Sequence, residues 1–339
     1  MIKIIVDTLG GDNSPYADID GALSALNAIG DAHITLVGNE EEITAYLNGK
    51  EYDKERLAVL DGKDVIGCND KPTVAIREKK ESSLYKSFEL LKNGEDYNAL
   101  VSTGSTGAIL AGAVLKIGRI RGIKRPAFCP ILPTMTGGIV SICDSGANVD
   151  CDATNLEQFA MMGNLFLQTA YNKENPKIAL LNVGTEEEKG DLLRKEVFPL
   201  LKNNPELNFV GNMEARDLLS GDYDLIVCDG FSGNVLLKAT EGACISLLTQ
   251  LKGVFKKNLK TKLGALVIKK DLYKLKDYMD YNNYGGAVLL GTAKTIVKGH
   301  GSSKALSVFH CIKQAYNMEK NGIRDKISER VAPITNGEN

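Results

Sequence analysis

The sequence has no tryptophan, only three histidines and 6% aromatic residues, so its core has to be built largely from aliphatic side chains. It also lacks any run approaching the ~20 consecutive apolar residues that a membrane-spanning helix needs. Seven cysteines occur (Cys68, Cys129, Cys143, Cys151, Cys228, Cys244, Cys311), odd in number, scattered and never in C-x-x-C spacing. Neither a zinc site nor a disulfide framework is signalled, and most of these thiols are expected to be buried in a reducing compartment. No excess of one charge is present: 41 Lys and Arg stand against 43 Asp and Glu, for a net charge of -2 and a pI near 6.1. Without a domain-wide basic footprint, nucleic acid is not an expected partner. Absent too are the dinucleotide fingerprint G-x-G-x-x-G, the P-loop, the G-x-S-x-G elbow and the H-E-x-x-H zinc pair. The nearest approach, Gly299-His300-Gly301, lacks the third glycine.

What remains is an ordinary globular composition, 43% hydrophobic and 25% charged over 339 residues, long enough for a large core. Short apolar runs recur, each followed by a helical stretch: Ile2 to Val6, Ile34 to Val37, Leu57 to Leu60, Ala99 to Val101, Ile178 to Val183, Leu225 to Val227 and Thr295 to Val297. Continuous apolar strands alternating with helices predict a three-layer, Rossmann-like αβα fold with a mostly parallel sheet covered on both faces. Helix starts are expected at Asp152-Ala153-Thr154-Asn155, running to Tyr171, and at Glu186-Glu187-Glu188-Lys189, running to about Leu201. Between Ala127 and Cys143, two β-rich runs flank Met135-Thr136-Gly137-Gly138, an antiparallel hairpin expected between two lobes. The expected organisation is one continuous unit over 1–333, with one lobe of about 1–125 plus 285–333, a second of about 126–284, and a frayed tail at 334–339. The opening residues read as a strand, not a secretory signal, so a cytoplasmic location is expected.

In an open α/β sheet, ligands sit at the carboxyl ends of strands, so the residues just after each apolar run carry the functional information. Six such places are polar and Gly-bearing: Gly10-Gly11-Asp12, Ser102 to Gly107, Asn182 to Gly190, Gly211-Asn212, Asp229 to Asn234, and His300 to Ser303. Glycine lets backbone N–H groups approach an anion, and a helix N-terminus adds partial positive charge. Any one of these turns is also explained by geometry alone. Together, and without nucleotide motifs, they point to a cleft for inorganic phosphate or a small phosphate ester.

These segments, with Asp70-Lys71-Pro72, Arg77 to Ser83, Arg125-Pro126, Asp144 to Val149, Gln158-Phe159-Ala160 and Tyr284 to Ala287, closely resemble the acyl-[acyl carrier protein]:phosphate acyltransferases of the PlsX family. The resemblance runs from Val6 to about Asn321. Thr8-Leu9 stand where that family usually has Ala-Met, and Ser105 where it usually has Asn. The resemblance implies a fold related to isocitrate and isopropylmalate dehydrogenases, and a homodimer. It implies attack of inorganic phosphate on an acyl-carrier-protein thioester, with neither metal nor cofactor, giving an acyl phosphate for phospholipid synthesis. On that reading Gly10, Gly11, Asp12, Ser102, Gly104, Ser105, Thr106 and Ser302 bind phosphate. Lys189 stabilises charge, with a solvated helix lysine paired to Glu186 or Glu187 as its alternative. His300 orients phosphate or protonates the departing thiolate. Asn234 and Asp229 join the catalytic set, and Asn182 and Asn212 orient substrate, helix capping being the competing role.

Two basic clusters stand out. Arg119, Arg121, Lys124 and Arg125 suit an acidic carrier protein. Lys252, Lys256, Lys257, Lys260 and Lys262 precede an apolar stretch containing Leu263, Leu266, Val267 and Ile268, which Lys269-Lys270 closes. An apolar tip bracketed by lysines predicts weak peripheral association with anionic membrane, or helix packing at a dimer interface. Two other functions are compatible with parts of this pattern: a phosphotransacetylase-like enzyme using acyl-coenzyme A, and a non-catalytic membrane-surface scaffold.

Overall fold

The computed structural model describes residues 1–67, 69–94 and 96–331, so the tail expected to fray at 334–339 lies outside the described residues. Its strands are β1 (Ile2–Asp7), β2 (Ala32–Gly38), β3 (Leu57–Asp61), β4 (Tyr97–Ser102), β5 (Ala127–Cys129), β6 (Ile131–Pro133), β7 (Ile139–Cys143), β8 (Lys177–Asn182), β9 (Asn208–Glu214), β10 (Leu225–Val227), β11 (Ala287–Leu290) and β12 (Thr295–Lys298). The helices are α1 (Tyr16–Ala28), α2 (Glu40–Leu47), α3 (Pro72–Glu78), α4 (Ser83–Asn93), α5 (Thr106–Gly112), α6 (Ala153–Tyr171), α7 (Leu192–Asn203), α8 (Gly230–Lys256), α9 (Leu259–Val267), α10 (Lys269–Met279), α11 (Ala305–Lys320) and α12 (Ile323–Arg330).

Two sheets form, in the orders β3-β2-β1-β4-β12-β11-β5 and β6-β7-β10-β8-β9. All pairings are parallel except those of β11 with its two neighbours and of β6 with β7. The apolar runs explain this layering. In β1, Ile4 and Val6 face one core while Ile5 faces another; in β4, Ala99 and Val101 part from Leu100 in the same way. That two-residue alternation, apolar on both sides, requires cover on both faces. Side chains from α1 and α11 supply one layer, and those from α3, α4 and α5 the other.

The core under α1 and α11 continues across α6 to β8 and β10 of the second sheet, which joins the two sheets through one apolar interior. Helix α6 starts where expected. The Asp152 Oδ1 atom accepts the Asn155 N–H at 2.8 Å, and Asn155 Oδ1 accepts the Asp152 N–H at 3.2 Å, a reciprocal cap. The chain crosses between sheets at Pro130. The expected hairpin is confined to β6 and β7, while Ala127–Cys129 joins β11 in the first sheet. Two further expectations are corrected. Gly211-Asn212 do not end a strand: they lie inside β9, where the pairing with β8 shifts register and Gly211 takes φ +103°. Helix α7 begins at Leu192, not Glu186, because Gly190 at φ +98° breaks the chain before the Asp191 cap.

Helix α8 runs 27 residues and, with α9 and α10, exposes many apolar side chains, among them Ile245, Leu247, Leu263, Leu266 and Val267. No helix among the described residues is long and apolar enough to cross a membrane.

Candidate active site

Three of the polar strand ends meet at the carboxyl edge of the first sheet. Strand order puts β1 beside β4 and β4 beside β12, so the turns after Asp7, Ser102 and Lys298 are neighbours. Gly10 and Gly104 stand back to back: a Cβ on Gly10, at φ +97°, would lie 3.1 Å from the Gly104 Cα. The Asp12 N–H donates to the Gly301 carbonyl at 2.8 Å, tying the first turn to the last.

Beneath this junction lie two buried carboxyls. Asp7 accepts the hydroxyls of Ser83 and Ser102, each at 2.6 Å, and Asp18 accepts that of Ser14 at 2.5 Å. Burial pushes Asp7 up to about 6 and Asp18 up to about 7, hydrogen bonds opposing the shift in both. This network engages part of the expected phosphate set. The Ser102 hydroxyl is 1% exposed and, while donating to Asp7, accepts the Gly104 N–H at 3.1 Å. The Gly11 N–H donates to Ser14 Oγ at 3.2 Å. Ser102, Gly104, Gly11 and the Asp12 amide therefore shape the cradle, their donors being spent inside the protein. Gly10, Ser105 and Thr106 remain at its surface; Ser105 precedes α5 without using its side chain as a cap.

A cleft of about 110 Å³ opens between the sheets, lined by Thr106, Ser145, Asn234, Lys238, Lys298 and His300 among others. His300 Nδ1 bonds Ser302 Oγ at 2.8 Å and accepts the Ser302 N–H at 3.2 Å. An N–H can only donate, so Nδ1 is the acceptor and Nε2 carries the proton. Burial, then the ammonium groups of Lys298 and Lys238, hold the imidazole below its ordinary 6.5. Geometry and the downward shift both favour the neutral ring with its proton on Nε2, and Ser302 is the partner of Nδ1. Lys298, Lys238 and Ser145 were not among the expected site residues. A signal existed for two of them: Lys298 ends the last apolar run immediately before Gly299-His300, and Lys238 lies one helical turn beyond Asn234 on the same face. Ser145 is placed by Asp144, whose carboxylate accepts the N–H groups of Phe128, Ala147 and Asn148 at 2.9, 3.0 and 2.7 Å.

The remaining expected residues gather at the end of the second sheet, away from this cleft's lining. Asn182 donates to the Lys189 carbonyl at 3.0 Å, and Asn212 to the Glu186 carbonyl at 2.7 Å. Both amides pin the 183–190 loop. Lys189 is exposed on that loop, outside any helix, with its side chain against Gly184. The pairing with Glu187 is also corrected, since Glu187 pairs with Lys202. Asp229 caps α8 by accepting the Ser232 N–H at 2.8 Å and forms an ion pair with Arg194. Burial raises the Asp229 carboxyl, but the bonds from Ser232 and Arg194 outweigh this and hold it below its ordinary range. It is an ionised cap, whereas Asn234, expected in the same set, lines the cleft.

The α/β fold is shared with a phosphotransacetylase from Streptococcus pyogenes, which superposes with TM-score 0.60 at 18% identity, covering 94% of each chain. The sequence is more specific. Residues 2–326 match the family described as fatty acid synthesis protein. The phosphate acyltransferase of Caldanaerobacter subterraneus subsp. tengcongensis is 46% identical over 330 residues, 97% of each chain. That of Clostridium novyi is 45% identical over 330 residues, 97% of this chain and 98% of the relative. The chain belongs to the phosphate acyltransferase family.

Proposed function

We propose that this chain transfers an acyl group from an acyl-carrier-protein thioester to inorganic phosphate, supplying acyl phosphate for phospholipid synthesis. The observation carrying this reading is the convergence of Thr106, Asn234, Lys238, Lys298 and His300 on one cleft, in a chain of this family. A phosphate oxygen of HPO₄²⁻ attacks the thioester carbonyl carbon, the C–S bond breaks, and the proton that phosphate carried passes to the leaving thiolate. Acyl phosphate dianion and free thiol result, so charge and atoms balance. Lys298 and Lys238 balance the charge of phosphate. Asn234 Nδ2 and His300 Nε2–H serve as donors to the developing oxyanion, preorganised by helix α8 and by Ser302. Gly10, Ser105 and Thr106 hold the phosphate from the first sheet. Lys189, exposed on the 183–190 loop of the second sheet, is the remaining candidate for charge stabilisation.

The carrier protein is acidic in the chemistry that would recognise it here: Arg119, Arg121, Lys124 and Arg125 are all exposed on the segment leading into β5, whose Phe128 lines the cleft. The exposed apolar faces of α8 to α10 support a homodimer. The tip formed by Leu263, Leu266, Val267 and Ile268, flanked by exposed lysines, supports weak peripheral contact with anionic lipid.

The test is acyl phosphate formation from carrier-protein and coenzyme A thioesters, with phosphate present or withheld. Phosphate-dependent turnover that favours the carrier protein is expected, with His300→Ala and Lys189→Ala both slow and folded. Preference for coenzyme A would replace the carrier, and no phosphate dependence would end the reading.

A further inference from the structure

Three cavities lie in series along a single stripe of α8. The His300 cleft is lined from that helix by Asn234, Lys238 and Glu241; a second cavity of about 270 Å³ by Glu241, Cys244 and Leu248; and a third of about 750 Å³ by Leu248, Lys252 and Phe255. Adjacent cavities share residues: Leu132 and Glu241 belong to the first two, Ile245 and Leu248 to the last two. Positions 234, 238, 241, 244, 248, 252 and 255 recur every three or four residues, so they form one ridge of the helix. Within it, Glu241, Cys244 and Leu248 are half-buried while their neighbours Ala243 and Leu247 are exposed.

The chemistry changes along this ridge. At the first cavity it presents an amide and an ammonium beside His300. Glu241, bonded to Lys238 at 2.7 Å, marks the neck. Beyond the neck the lining is mostly apolar, Leu132, Pro133, Leu219 and Met279 joining Cys244 and Leu248, with Thr240, Asp280 and Ser302 as its polar members. Ser302, the partner of His300, also lines this second cavity, so the apolar passage begins one residue contact from the proposed reaction centre. From Asn234 to Leu248 the helix rises ~21 Å, at 1.5 Å per residue. A polar head with a long, narrow apolar continuation fits a thioester whose acyl chain is an unbranched hydrocarbon.

We propose that the substrate's acyl chain runs from the His300 cleft along α8, and that Cys244 and Leu248, facing Leu219 and Met279, determine which chain lengths are accepted. This rests on the acyl-transfer reading for the identity of the head group. The passage opens on to the apolar space under α9 and α10, so a chain too long for the second cavity extends toward that hairpin. Each methylene buried along the passage raises kcat/KM about fourfold, the equivalent of ~0.8 kcal/mol, until the passage is filled.

The experiment compares carrier-protein thioesters from butyryl to octadecanoyl on the wild type, Cys244→Trp and Leu219→Trp, with Ala243→Trp as a control on the exposed side of α8. Wild type and control show the stepwise rise with chain length. Both passage variants keep butyryl turnover and lose about 100-fold or more with hexadecanoyl. Thermal melts confirm folding, and if Cys244→Trp fails to fold, Leu219→Trp decides from the opposite wall. Unchanged chain-length profiles, or equal loss at every length in a folded variant, overturn the proposal. A second readout does not depend on turnover: alkylation of Cys244 by a maleimide, located by mass spectrometry, is slowed by hexadecanoate and not by butanoate. Protection without any acyl transfer would sink the acyltransferase reading and leave the passage standing, whereas transfer without protection would sink the passage alone.

Discussion

Gly233 and the carbonyl of Asp144 stand so close that a Cβ built at position 233 would lie 1.9 Å from the Asp144 oxygen. The first turn of α8 is thereby seated on the loop that carries Ser145, and Asn234 enters the cleft from that seat. Gly233→Ala forces backbone against backbone, since no flexible side chain stands between them. A loss of ~3 kcal/mol is expected, read as a lower thermal midpoint, with acyl phosphate formation falling as Asn234 is displaced. A midpoint equal to wild type would show that the seat yields freely.

The Asp7 and Asp18 carboxyls make stability depend on pH in an uncommon direction. Burial raises them to about 6 and about 7, above the unfolded value of 3.8. The folded chain therefore binds more protons than the unfolded chain between these limits, and stability falls as pH rises from ~4 to ~7. Asp18→Asn removes one ionisation while keeping an acceptor for Ser14. Its advantage over wild type should grow across that range and level off at about 2–4 kcal/mol, measured by urea midpoints. An advantage that does not change with pH would show that Asp18 is ionised in the folded state.

Lys298 lines the cleft and, after burial, helps hold His300 below its ordinary value. Lys298→Met should lower kcat/KM for phosphate by on the order of 100-fold, as loss of one preorganised charge-stabilising group does. Because burial first, and then Lys298 and Lys238, hold His300 below 6.5, removing one ammonium should also move the acid limb of the pH–rate profile to higher pH. A limb that stays in place while the rate drops would assign the titration to another group.

Membrane contact, proposed for the apolar tip, can be tested apart from the chemistry. Leu263→Glu and Val267→Glu, at exposed positions of α9, should reduce binding to vesicles of anionic lipid at low salt and leave turnover on soluble thioester unchanged. Equal vesicle binding by the variants would remove the tip from consideration.

Substitution of Asp7 tests the cradle from below. Asp7→Ala leaves the hydroxyls of Ser83 and Ser102 without their acceptor, so the Gly104 turn loses its support. Turnover should fall by on the order of 100-fold through misplacement alone, with a larger rise in KM for phosphate than for thioester. Parallel changes in both KM values would point to general destabilisation.

Local chemistry in the sequence was sufficient for the elements themselves. The runs Ile4 to Val6 and Ala99 to Val101 are apolar at every residue, which suits a strand covered on both faces. Asp152 and Asn155 cap α6 through neighbours three residues apart, and the Met135 to Gly138 turn closes a hairpin between adjacent runs. Interactions of that range are written in consecutive residues. The partition of the polar turns was not. Lys189, Asn182, Asn212 and Asp229 read like the His300 and Thr106 turns, yet they belong to the other sheet and its loops, where Asn182 and Asn212 hold the 183–190 loop and Asp229 caps α8. Lys298 reaches the cleft because β12 inserts between β4 and β11, nearly two hundred residues from the strand it joins. Strand order is decided by which apolar faces are buried together across the whole chain, so the membership of the site, unlike its residue types, belongs to the tertiary structure.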